Sequence, residues 1–169
     1  SSARPVRSAV RKDVPVQVPA DLEPHVLREY PIDHILPYVN LQMLLGHHLG
    51  VRGKVAQLLA DKDPKTVELK ALVDDVIQEA VREGILVANA IYRFFPAQSS
   101  GDSILVYDPE RPEQVLQTFT FPRQRVEPYL CLSDFLKPVD SGIMDYVGFF
   151  VVTVGKGIVE KAKQLRDQG

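Results

Sequence analysis

The chain lacks most of the features that make a function legible at once. It has a single cysteine, Cys131, so an internal disulfide is excluded and a reducing cytoplasm is the default setting. It has no long hydrophobic run: the most apolar stretch, Val147 to Val154, is interrupted by Thr153 and falls far short of the ~20 residues a bilayer span needs. A basic-then-apolar leader is missing, which gives no sign of secretion. An excess of charge of one sign is missing too, with 20 basic side chains against 22 acidic ones, so neither a nucleic-acid footprint nor charge-driven disorder is indicated. What remains is 169 residues, 45% of them hydrophobic, enough for one soluble domain with a real core and too few for two comfortable ones. The chain begins Ser1-Ser2-Ala3 without an initiator methionine, which points to a fragment of a longer polypeptide or a processed product.

Self-contained chemistry is also scarce. His47 and His48 are adjacent, so on a helix they point about 100° apart, and no Cys or third His stands at ligand spacing for zinc. His25 and His34 are isolated and read as surface or capping residues. Cys131 sits between Leu130 and Leu132, the setting of a buried, inert thiol rather than a nucleophile. No serine occupies a strand-turn-helix elbow, and Gly155-Lys156-Gly157 lacks the spacing of a phosphate loop. Asp74 and Asp75 belong to a solvated helix face. Asp134 and Asp145 differ, because each lies in an apolar context where a carboxylate must find hydrogen bonds. Asp134 reads as a helix cap opening Phe135-Leu136, with a ligand contact as the alternative. The expectation is no catalytic residue and no metal site.

The pattern along the chain predicts an extended, Pro-rich arm or linker over residues 1–25, with Arg4, Pro5, Arg7, Arg11 and Lys12 solvated, followed by one domain over residues 26–169. Two short helices meet near Pro37, and Gly46, Gly50 and Gly53 then open a loop carrying His47, His48, Arg52 and Lys54. The clearest element is a helix from Asp63 to Gly84. Asp63 caps it, Pro64 fits its first turn and Gly84 stops it. Leu69, Leu72, Val73, Val76, Ile77, Ala80 and Val81 form one broad apolar stripe on it. The period then shifts to that of strands: Leu86 to Phe95, then Ser103 to Tyr107 and Val115 to Phe121 as a hairpin, with Ala97 to Asp102 as a loop. Val147 to Val154 reads as a central strand buried on both faces. Gly155-Lys156-Gly157 turns into a last helix with Ile158, Val159, Ala162 and Leu165 inward. The fold class is therefore α+β, a twisted, largely antiparallel sheet with helices packed against it and an N-terminal extended arm.

Several blocks carry a resemblance to a known family. Tyr30-Pro31 leads to Tyr38-Val39-Asn40; Phe94-Phe95-Pro96-Ala97-Gln98 precedes Gly101-Asp102, Ile104 and Tyr107. Leu130-Cys131-Leu132-Ser133-Asp134-Phe135 is followed by Pro138, and Ser141-Gly142 precedes Asp145-Tyr146-Val147-Gly148 and Val152-Thr153. In order and spacing, over about residues 26–157, these resemble the activation domain of cobalamin-dependent methionine synthase, a methyltransferase of methionine biosynthesis. The Pro-rich start resembles the linker to that family's cobalamin-binding module.

The resemblance implies a domain that docks over the cobalamin domain of the same polypeptide and presents S-adenosylmethionine, while flavodoxin or an equivalent reductase supplies an electron to oxidised cobalamin. Cobalamin would be held by the neighbouring domain, and zinc only elsewhere in the full-length enzyme. Such chemistry asks mainly for positioning from the protein. The family's S-adenosylmethionine-binding aspartate, in a Tyr-Ile-Asp-Trp setting, matches Asn40, here followed by Leu41. Asn40 is thus the implied cofactor-binding residue, unless it only caps a helix. It offers no negative charge to an ammonium or sulfonium. The family's other contacts lie in an Arg-x-x-x-Gly-Tyr motif and a later Tyr-Phe pair, which this sequence does not reach by Gly169. The expectations are a C-terminally truncated domain, inactive alone, that binds S-adenosylmethionine weakly or not at all. An alternative is a non-catalytic module docking on a separate cobalamin or corrinoid protein; a further one is an unrelated small-molecule-binding α+β domain.

Overall fold

The computed structural model describes residues 8–155 and 157–168. Arg4, Pro5, Arg7 and Lys156, and the side chain of Leu165, lie outside the described residues. The elements run in the order β1 (His25–Tyr30), α1 (Ile32–Ile35), a 3-10 turn (Leu36–Tyr38), a π-helix (Gln42–His48), α2 (Val55–Ala60), α3 (Pro64–Arg82), β2 (Ala88–Ser100), β3 (Ser103–Tyr107) and β4 (Val115–Thr120). Two further 3-10 turns (Leu132–Phe135 and Val139–Ser141), β5 (Asp145–Val154) and α4 (Ile158–Gln168) complete the chain. The strands form one sheet in the order β1-β2-β3-β4, with β5 also paired to β2, and the β2–β3 and β3–β4 pairings are antiparallel. The architecture is the α+β one expected. The chain divides into two compact units, residues 1–25 with 91–151 and residues 26–90 with 152–169.

The core of the first unit is built from the β2–β3 hairpin. Ala97, Ile104, Val106 and Leu136 are buried together, with Phe95, Phe121 and Val147 packed against them. The predicted loop from Ala97 to Asp102 is not one, because β2 continues through Ser100 and only Gly101-Asp102 turn. Ala97, Gln98, Ser99 and Ser100 pair with Val106, Leu105, Ile104 and Ser103. Small and polar residues imitate a loop in sequence, but here their hydrogen bonds are met inside. Gln98 donates to the Ile143 carbonyl at 2.8 Å and accepts from the Tyr107 hydroxyl at 3.1 Å, and Ser99 Oγ donates to the Leu136 carbonyl at 3.2 Å.

In the second unit, Leu45 of the π-helix, Val55 of α2 and Thr66 of α3 are fully buried. The loop predicted from Gly46 onward starts later, since His47 and His48 complete the π-helix. Gln42 holds that loop: its Oε1 accepts the Val55 N–H at 2.9 Å and its Nε2 donates to the Gly53 carbonyl at 3.1 Å. A side chain thereby supplies the cap that Lys54 does not give α2. Gly46 makes this possible, because a Cβ there would lie 2.6 Å from Gln42 Nε2.

Helix α3 has the caps its sequence predicts. Asp63 Oδ2 accepts the Thr66 N–H at 2.9 Å, Pro64 opens the helix and Gly84 leaves it at φ +66°. Its buried stripe is narrower than expected: Leu69, Val73, Ile77 and Ala80 are half-buried, while Leu72, Val76 and Val81 are exposed. The covered positions follow one another at i, i+4, i+8 and i+11 along the helix, and Leu72 and Val76 lie between them on the uncovered side, so the contact is one narrow row.

Strand β5 also departs from expectation. Among the described residues it pairs with β2, and Phe150 is 72% exposed, with Val151, Val152 and Val154 exposed as well. It is not a central strand covered on both faces. In α4, Ile158, Val159 and Ala162, expected inward, are exposed. No helix among the described residues is long and apolar enough to cross a membrane.

Candidate functional site

Asn40 precedes the π-helix in the second unit, exposed, between the 3-10 turn and Leu41. Its Oδ1 accepts the Met43 N–H at 3.0 Å and its carbonyl accepts the Leu44 N–H at 3.0 Å. The side-chain oxygen is committed to the first turn of a helix, as asparagine at an N-cap prefers. Among the described residues its amide nitrogen has no partner. Asn40 therefore offers outward a hydrogen-bond donor suited to a carboxylate or carbonyl, and a second lone pair on Oδ1, but no negative charge for an ammonium or sulfonium. The rest of the segment is open: Tyr38 is 87% exposed, and Tyr30 meets the edge of His34 with ring centroids 5.9 Å apart.

The other residues singled out in the sequence have structural partners. Cys131 is buried, its Sγ 3.6 Å from the Phe121 carbonyl and 3.7 Å from that of Asp102, and it accepts from Ser133 Oγ at 3.2 Å. Asp145 closes the segment before β5, Oδ2 accepting the Lys137 N–H at 2.9 Å and Oδ1 the Tyr146 N–H at 2.8 Å. Asp134 does cap, but differently from the expectation. It lies inside the 3-10 turn Leu132–Phe135 and reaches back, Oδ2 accepting the Cys131 N–H at 2.9 Å. His47 and His48 meet edge to face at 5.1 Å. Among the described residues no three His, Cys, Asp or Glu side chains are grouped to hold a metal.

Sequence reasoning missed Arg123. Its guanidinium takes both oxygens of Asp134, at 2.6 and 2.9 Å, binds Asp102 Oδ1 through Nε and Nη2 at 3.0 and 2.8 Å, and donates to the Tyr129 carbonyl at 2.7 Å. Arg123 and Asp134 are 15% and 12% exposed. The guanidinium, more than any other cause, holds the Asp134 carboxyl far below the usual carboxylate range, against the opposing effect of burial. The Arg123 guanidinium is correspondingly pushed up, first by Asp134 and then by Asp102. Since all five N–H groups of Arg123 are used within the unit, it ties together the hairpin turn, the segment after β4 and the Cys131–Leu136 turn. It is a structural knot.

The sheet order, the helical segment ahead of it and an exposed capping residue at the head of a π-helix define an α+β domain with no reactive constellation among its described residues. Its relatives identify the class. Residues 31–169 match the family described as vitamin B12 dependent methionine synthase, activation domain, and the chain belongs to that family. It is 27% identical over 168 residues to methionine synthase of Mycobacterium tuberculosis (strain ATCC 25618 / H37Rv), an alignment covering 95% of this chain and 14% of that protein. It is also similar to the crystal structure of the MetH reactivation domain bound to AdoHcy, at 25% identity and a TM-score of 0.73, covering 88% of this chain and 47% of that one. The chain thus spans about one-seventh of the length of the mycobacterial relative and about half of the solved domain.

Proposed function

We propose that this chain is part of the activation domain of a cytoplasmic cobalamin-dependent methionine synthase, a methyltransferase, and supports reductive methylation of oxidised cobalamin with S-adenosylmethionine as methyl donor. The observation that carries this reading is the likeness to a reactivation domain bound to AdoHcy, the demethylated form of that donor. Cobalamin, held by a neighbouring domain of the same polypeptide, would supply the methyl-accepting cobalt, and flavodoxin or an equivalent reductase the electron. The contribution of this chain's residues is scaffold and position. The β2–β3 hairpin and the Arg123 knot give a rigid frame, and the capped turn at Asn40 sets one exposed amide donor where a ligand carboxylate can accept it. Asn40 offers no negative charge to a cationic sulfonium or ammonium, so the chain alone is expected to bind S-adenosylmethionine weakly or not at all.

The test is made in the parent polypeptide. Removing residues 31–169 should abolish recovery from the oxidised cobalamin state by S-adenosylmethionine and reductant. Methyl transfer from methyltetrahydrofolate to homocysteine should persist in enzyme that has not been oxidised. Recovery that survives the deletion would overturn the reading.

A further inference from the structure

The sheet of the first unit has two faces, and alternation along its strands assigns them. Phe95 of β2 and Val147 of β5 pack into the core on one face. Phe94 and Tyr146, their chain neighbours, therefore stand on the other. Gly148 shares that second face with Tyr146 and lets Phe94 approach the strand, since a Cβ there would come 3.0 Å from the Phe94 ring. Together with Val14, Val16, Phe135 and Leu136 these two rings line a cavity of about 320 Å³, within the lower range of small-molecule sites. The arm beside it has no helix or strand, and its short valine side chains do not fill the space as a core side chain would.

The polar groups of this cavity are lopsided in charge. Arg11, Lys12 and Lys137 line it against Asp134 and Asp145. Arg11 is paired with Asp13 and Asp134 with Arg123, which leaves two lysines against one carboxylate. That carboxylate, Asp145, gives one oxygen to the Lys137 N–H and the other to the Tyr146 N–H. Neither lysine forms an ion pair with a carboxylate among the described residues, and Lys12 Nζ lies 3.5 Å from the carbonyl of Leu136, in the cavity wall. The Tyr146 hydroxyl and the Gln17 amide also belong to residues lining the cavity, and among the described residues they have no hydrogen-bond partner.

We propose that this cavity binds a small aromatic carboxylate, its ring packed among Phe94, Phe135 and Tyr146 and its anionic group bonded to Lys12, Lys137 and the Tyr146 hydroxyl. Apolar walls with a few convergent polar groups make a ligand site. Aromatic walls favour a flat ring, and charge-assisted bonds from ammonium groups select an anion over its neutral counterpart. None of these residues belongs to the segment around Asn40, so the site stands or falls apart from the S-adenosylmethionine reading.

The chain has no tryptophan, so the fluorescence anisotropy of indole-3-acetate, excited beyond tyrosine absorption, reports binding without background. Titrated with the chain, it should rise to saturation with a Kd of about 1 mM or tighter. Uncharged 3-methylindole, which lacks the carboxylate, should bind about tenfold more weakly. Lys12→Met and Lys137→Met should each weaken indole-3-acetate about fivefold, toward the affinity of 3-methylindole. Val16→Phe, at a half-buried position of the arm, should fill the cavity and abolish binding without lowering the thermal midpoint. Phe150→Glu, which alters the exposed patch of β5 and not the cavity lining, should leave binding unchanged. No saturable signal, or binding that survives Val16→Phe and disappears in Phe150→Glu, would overturn the site. Equal affinity for the two probes would overturn its assignment to a carboxylate.

Discussion

Arg123 meets Asp134 through two parallel hydrogen bonds, Nη1 to Oδ2 at 2.6 Å and Nη2 to Oδ1 at 2.9 Å, while the same carboxylate accepts the Cys131 N–H. One acidic side chain thereby caps a 3-10 turn and neutralises a largely buried guanidinium. Replacing it by alanine leaves that guanidinium short of its main partner, and Asp134→Ala should cost about 2–4 kcal/mol, read as a fall in the urea midpoint. Asp134→Asn keeps the shape and should lose less.

The same pair predicts the acid limb of stability. The Asp134 carboxyl titrates lower in the folded chain than in the unfolded one. Its contribution is therefore complete above the unfolded value of about 4 and is lost progressively as pH falls toward the folded value. Unfolding free energy measured from pH 6 down to pH 2 should decline in the native chain and decline less in Asp134→Asn. Parallel curves would show that another group governs the acid limb.

In the second unit the relation of Gln42 to Gly46 makes a paired prediction. Gly46→Ala pushes a methyl group into the amide that binds Val55 and Gly53, so it should cost about 1–2 kcal/mol despite alanine's higher helix propensity. Gln42→Ala should cost a similar amount. In the double variant the two losses should not add, because the second change has no remaining bond to break. Additive losses in a double-mutant cycle would sink the idea.

How far the sequence carries depends on how local the cause is. Helix α3 was legible because Asp63, Pro64 and Gly84 act on their own neighbours, and the β3–β4 hairpin because its turn lies between two strand-like runs. The burial of Cys131 followed from its two leucine neighbours. Ala97 to Ser100 were misread because what makes them a strand is the partner β3 and acceptors as distant as Ile143. The exposure of Phe150 follows from that face of β5 having no element over it among the described residues, which no window along the chain contains. The knot is not legible in the sequence because Arg123 lies 21 residues from Asp102 and 11 from Asp134, so no local pattern marks its partners. At the candidate site, Asn40 supported both readings in sequence; the structure supplies the cap and leaves the ligand contact to be tested.

That test separates the two roles of Asn40. Asn40→Ala loses the bond to Met43 N–H and should cost about 1 kcal/mol of stability, measured by thermal or urea unfolding. Asn40→Asp keeps an acceptor for Met43, adds a negative charge at a helix start worth about 0.3–1 kcal/mol, and leaves its second oxygen free to accept from an ammonium. Calorimetry with S-adenosylmethionine should show tighter binding to Asn40→Asp than to the native chain, for which weak or absent binding is expected. Micromolar affinity in the native chain would contradict that expectation, and equal affinity in both would remove Asn40 from the ligand site.

Strand β5 carries the last prediction. Side chains alternate along a strand, so Phe150, Val152 and Val154 share one face, and all three are exposed. Phe149, on the opposite face, packs against Phe95 and Phe119 with centroids 5.7 Å away in each case. The exposed face is therefore not needed for the packing of the first unit, yet it presents adjacent apolar side chains without an intervening charge. Contiguous apolar surface of this kind promotes association, so the isolated chain should self-associate as its concentration rises. Phe150→Glu places a charge at the centre of the patch. Because Phe150 is already 72% exposed, the substitution should leave the unfolding midpoint almost unchanged while restoring a monomer in analytical ultracentrifugation. A native chain that sediments as a clean monomer at high concentration would show that this face does not drive association.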